Sequence, residues 1–236
     1  RQDEAMVAFG RALESGSMDP TLYRRLAEAL AQGAAWDLYE QALEAALHVD
    51  PKDPQVHFLA GSVAESRGDW EQACKAYREA ALLAPTAPEH HERLGAALLR
   101  LGRAPQAVEA LTQAVALNPK RAATHHLLAQ AQQEAGHPDE ALAELQEAVW
   151  LAPEDHEIQR ELAVLLAQEG DKVGARAALT QALGTHPDDA ELHYLLGRTC
   201  REEGRLEEAL EHLRAATVLA NEDPRYLLGY GSALLE

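Results

Sequence analysis

Between Pro88 and Arg121 the chain carries two apolar stripes. Leu94, Leu98 and Leu101 fall at three-to-four spacing, the period of one helix face. Gly102 follows as a helix stop, because glycine enters the left-handed C-terminal conformation without steric cost. Pro105 sits where a second helix would begin, and a first turn does not need its missing N–H. A second stripe runs through Val108, Leu111, Ala114 and Val115. Asn118-Pro119 closes the unit, since the residue before proline is pushed out of the helical region. The segment predicts a helix, a tight turn and a second helix.

This unit recurs. Pro51, Pro85, Pro119, Pro153 and Pro187 are each 34 residues apart, and the register extends to Ser17 and Asn221. Five residues before each stands an alanine: Ala12, Ala46, Ala80, Ala114, Ala148, Ala182 and Ala216. Seven residues earlier an alanine recurs in every copy but one, where Tyr39 replaces it. Between the two rows lies a larger apolar residue: Phe9, Leu43, Tyr77, Leu111, Leu145, Leu179 and Leu213. The first helix has its own small row, from Ala27 and Gly61 to Gly197 and Gly231. Small residues at a fixed period mark places where two helices approach closely.

The 34-residue period, the pairs Leu94-Gly95, Leu128-Ala129, Leu162-Ala163 and Leu196-Gly197, and the alanine and proline slots together resemble the tetratricopeptide repeat family. The resemblance covers essentially the whole chain. It implies an all-α fold, a right-handed α-solenoid of antiparallel helix pairs. Six full repeats are expected, at 20–53, 54–87, 88–121, 122–155, 156–189 and 190–223, forming one solenoid domain. Residues 1–19 match the second helix of a preceding repeat, and residues 224–236 the first helix of a following one. The departures are Tyr39, Ala60 in a leucine slot, and no tryptophan in the early aromatic slot.

Charge narrows the partners. The chain of 236 residues has a formal charge of −18. Nucleic-acid binders need a basic face to displace counterions, and anionic lipid repels an acidic surface. No apolar run approaches the ~18 residues of a membrane span. Cys74 and Cys200 form no motif and suit a reduced compartment. The expected location is therefore the cytoplasm, or the periplasm if a signal preceded Arg1. Four lysines against seventeen arginines point to a GC-rich bacterial genome.

The histidines invite a chemical reading. The early aromatic slot holds Tyr23, His57, His91, His125, Gln159, His193 and Leu227. Recurrence at one repeat position makes it a packing slot at the start of a first helix. A metal site is disfavoured, because equivalent slots lie on successive helix pairs. Collective charging below about pH 6.5 is the alternative. His48, His137, His156, His186 and His212 fall near helix ends or outer faces and need no special role.

By the resemblance, first helices line a concave face that binds peptides. The inward positions are the second, fifth, sixth, ninth, twelfth and thirteenth places of each repeat. These carry eight arginines and ten glutamates, nearly neutral on an acidic body. Arg24, Arg25, Arg93, Arg100, Arg160, Arg198, Arg201 and Arg225 offer planar forks suited to carboxylates, or they pair with neighbouring glutamates. At the fifth and sixth places, Phe58-Leu59, His126-Leu127 and Tyr194-Leu195 alternate with charged pairs. These aromatics and arginines are the candidate partner-binding residues. A ligand with spaced apolar residues and mixed or acidic charge fits them, as a strand or an amphipathic helix. The inward lysines and asparagines of a chaperone-tail clamp are missing.

No phosphate loop, metal-ligand cluster or activated nucleophile stands in the sequence, so no cofactor and no catalysis are expected. The leading function is a non-catalytic protein-interaction scaffold. The alternatives are an assembly or pilot factor of a bacterial envelope machine, and the substrate-recruiting arm of a larger enzyme. The last segment exposes Leu227, Leu228, Tyr230, Leu234 and Leu235 without a closing helix. That end is expected to self-associate or to continue in a longer protein.

Overall fold

The computed structural model describes Arg11 and residues 36–236, with side chains from Gln41 on. The described residues form twelve helices and no strand. They group into two compact units, 1–119 and 120–236. The first contains α1 (Trp36–Val49), α2 (Pro54–Ser66), α3 (Trp70–Leu83), α4 (Pro88–Arg100) and α5 (Ala104–Leu117). The second contains α6 (Ala122–Glu134), α7 (Pro138–Leu151), α8 (His156–Gln168), α9 (Lys172–Thr185), α10 (Ala190–Glu202), α11 (Leu206–Leu219) and α12 (Pro224–Ala233). From α2 to α11, each even-numbered helix pairs with the helix that follows it.

Local chemistry sets the ends. Asp53, Asp155, Asp189 and Asp223 cap α2, α8, α10 and α12, accepting backbone N–H groups of the first turn. Each first helix from α2 to α10 ends in a tight turn through Gly68, Gly102, Gly136, Gly170 or Gly204, all with φ between 67° and 89°. A side chain is strained in that left-handed conformation, so the glycine row follows from the turn itself.

The alanine rows lie at the helix contacts. Ala73, Ala107, Ala141, Ala175 and Ala209 are fully buried, as are Ala80, Ala148, Ala182 and Ala216. The small residue of the first helix faces the large residue of the second. A Cβ built on Gly95 would lie 2.4 Å from Leu111 Cγ, and one on Gly197 2.7 Å from Leu213 Cγ. In this way each helix pair locks its second helix against its first. The final helix α12 buries Tyr226 and Ala233 but leaves Leu227 and Leu228 exposed, as are Leu234 and Leu235 just after it. Among the described residues, no helix is long and apolar enough to cross a membrane.

Candidate partner-binding face

Places are counted from the first residue of each repeat: 54, 88, 122, 156 and 190. The fourth place anchors the first helix to the preceding junction. His57 Nε2 donates to the Pro51 carbonyl at 2.9 Å, His91 to Pro85 at 3.0 Å and His193 to Pro187 at 3.0 Å. Gln159 makes the same bond with its amide, 2.7 Å from the Pro153 carbonyl. The slot therefore selects an N–H donor of suitable reach, which is why glutamine replaces histidine there. A proline followed six residues later by histidine or glutamine is the signal for this bond in the sequence.

The fifth place, where aromatic anchors are expected, spends part of its surface on the next first helix. Phe58 on α2 packs 5.1 Å from the His90 ring of α4 and 5.4 Å from Tyr77 of α3. Tyr194 on α10 packs 5.1 Å from Tyr226 of α12. His126 on α6 reaches Glu161 of α8 at 2.7 Å, and Gln130 donates to the same carboxylate. All three remain half-buried, so each keeps an edge towards solvent. Leu59 and Leu195, at the sixth place, pack against core clusters, and Leu127 is half-buried.

The arginines are largely engaged within the protein. Arg93 pairs with Glu65 at 3.1 Å, and Arg100 lies over the Trp70 ring at 5.0 Å. Arg160 pairs with Glu157. Arg201 donates to Ser232 at 2.9 Å. Arg198 is held most loosely: its Glu202 partner is 3.8 Å away, and the Tyr194 ring lies 5.9 Å below it. Arg24 and Arg25 lie outside the described residues, and so do residues 1–10 and 12–19.

A polar network missed by the sequence pattern joins α2, α3 and α4. The Tyr77 hydroxyl donates to Glu65 at 2.5 Å, and Glu65 also receives Arg93. Burial, then this carboxylate, push the Tyr77 hydroxyl well above its ordinary value. Tyr77 occupies a core slot, so only its replacement of leucine there hinted at a polar role.

Between α8 and α10 the first-helix face of the second unit opens into a notch of about 210 Å³. Its apolar lining includes Val164, Ala167, Leu179 and Leu195, with Arg198 and Glu202 at the rim. A notch of this size admits one side chain, and its arginine can meet a carboxylate beside it.

Two tetratricopeptide repeat family models match the chain, one at residues 37–88 and 58–122, the other at 98–165 and 166–230. The chain belongs to the tetratricopeptide repeat family, whose helix-pair arrays act as protein-interaction scaffolds. No curated protein matches it in sequence. Solved structures share its fold. YrrB, described as a TPR protein with an unusual peptide-binding site, is 22% identical with a TM-score of 0.71, covering 80% of this chain and 98% of YrrB. PilF of Pseudomonas aeruginosa is 18% identical with a TM-score of 0.71, covering 94% of this chain and 99% of PilF. MamA of Desulfovibrio magneticus is 21% identical with a TM-score of 0.67, covering 73% and 99%.

Proposed function

We propose that the chain is a non-catalytic scaffold that binds a segment of a partner protein on its first-helix face. The notch between α8 and α10 carries this reading. It combines an apolar floor with Arg198, whose intramolecular ion pair is long at 3.8 Å. A partner segment would place one apolar side chain on Val164, Ala167 and Leu195, with an acidic residue beside it for Arg198. On the second unit, His126 and Tyr194 act as half-buried ledges of this first-helix face, and Arg160 and Arg201 supply its charge; Phe58, Arg93 and Arg100 are the corresponding candidates on the first helices of the first unit. YrrB, described as a TPR protein with an unusual peptide-binding site, supports this reading.

The test is affinity capture with two baits, the native chain and Ala167→Trp, which fills the notch from a half-buried position. A partner held by the first and lost from the second, with circular dichroism unchanged, supports the site. Equal retention by both baits contradicts it.

A further inference from the structure

The first unit holds a recess of its own. A cleft of about 490 Å³ opens between α3, α4 and α5. Its floor is apolar, with Ala81, Leu94, Leu98 and Ala110, and the exposed Leu82 stands at its edge. Arg78 and Glu109 also line it.

The repeats themselves show what such a space accepts. In repeat 190–223 the fourth place meets the twenty-third: His193 Nδ1 lies 3.0 Å from His212 Nδ1. His193 already donates from Nε2 to Pro187, so its neutral ring accepts at Nδ1 and His212 donates. In repeat 122–155 the same two places pair as His125 and Glu144, 2.6 Å apart. In repeat 88–121 the twenty-third place is Ala110. His91 makes the proline bond through Nε2, which leaves its Nδ1 an acceptor, and both His91 and Ala110 line the cleft. A polar-tipped side chain stands at the twenty-third place in two other repeats, and alanine in 54–87 and 156–189 as here. The recess asks for an apolar body carrying a hydrogen-bond donor.

We infer that this cleft receives Trp150 from a second copy of the chain. Trp150, at the twenty-ninth place on α7, is 73% exposed and so is available to a second copy. Its indole supplies both the apolar body and one N–H donor for His91. Glu147 lies one turn before Trp150 and complements Arg78 at the cleft. The contact is heterologous, cleft on one copy and tryptophan on the other.

Sedimentation velocity over a concentration series tests this, with three variants. Trp150→Ala removes the knob from an exposed position. Ala110→His fills the cleft with the side chain that His212 provides in its own repeat, so the fold has a precedent for it. Leu228→Glu alters the exposed end of α12. The expected result is concentration-dependent association of the native chain, weakened about ten-fold or more by each of the first two variants. Leu228→Glu leaves it unchanged. Mixing Trp150→Ala with Ala110→His restores association, because one carries the intact cleft and the other the tryptophan. A native chain that stays monomeric, or association that survives either of the first two variants, overturns the inference. So does loss of association through Leu228→Glu alone. A monomer whose His91 resonances shift on adding N-acetyl-tryptophanamide would also overturn the second copy as occupant and assign the cleft to another protein's aromatic side chain.

Discussion

His126 and Glu161 bind the first helices of two successive repeats to one another, ring nitrogen to carboxylate at 2.7 Å. The hydrogen bond to Glu161 holds the His126 ring above its ordinary value of 6.5, against the effect of burial. Burial pushes Glu161 up, yet the His126 and Gln130 hydrogen bonds and the charge of His126 bring it below its ordinary 4.5. A raised histidine stabilises the fold fully below its unfolded value and ceases to do so as pH rises through its folded one. A depressed carboxylate contributes above its unfolded value and ceases as pH falls through its folded one. The pair therefore contributes most between about pH 4.5 and 6.5. Glu161→Gln should lower stability by about 1–2 kcal/mol at pH 6 and by less at pH 8.5. Urea denaturation of both proteins at the two pH values checks this. An equal loss at both would contradict a charged pair.

The proline-to-fourth-place bond predicts an unusual tolerance. His57→Gln should be nearly neutral, because Gln159 makes the same bond from the same place. His57→Leu leaves the Pro51 carbonyl without this donor and should destabilise by about 1 kcal/mol. Thermal denaturation of the pair distinguishes a hydrogen-bonding slot from one that only needs bulk.

The two glycine environments on first helices should respond oppositely to alanine. A methyl at Gly95 would meet Leu111 at 2.4 Å, so Gly95→Ala should destabilise by about 1–3 kcal/mol. A methyl at Gly231 meets nothing within 4 Å, and Gly231→Ala should stabilise α12 by about 0.5–1 kcal/mol. The sign of the two shifts in melting temperature is the measurement.

These cases show what was legible in the sequence. The proline period, the glycine stops and the alanine rows encode backbone events that must occur at fixed places, so helix ends and close contacts could be read directly. Phe58 illustrates the limit. Helical spacing puts it on the first-helix face, but spacing cannot say that His90 of the next helix would take up part of its ring. Arg93 and Arg100 show the same limit, since residues 28 and 30 positions upstream engage them, Glu65 and Trp70. The repeat pattern places His212 near a helix end or outer face, with no partner evident in the sequence. Only the repeat comparison of the fourth and twenty-third places reveals its pairing with His193.

Phe58 accordingly has a structural cost that a free anchor would not. Phe58→Ala should destabilise by about 2–4 kcal/mol, because the ring fills the space between Tyr77 and His90. Urea denaturation would show this as a lower midpoint. A loss below about 0.5 kcal/mol would mark the ring as surface rather than packing.

On the proposed function, a partner segment lies on the first-helix face of the second unit, beside the α8–α10 notch. Photo-crosslinking from benzoylphenylalanine placed at Val164, which lines the notch, or at Val218, exposed on the second helix α11, tests it most directly. The expected result is a partner crosslinked from position 164 and not from 218, with a lower yield from 164 when Arg198→Glu is combined with it. A partner crosslinked from 218 and absent from 164 would contradict it.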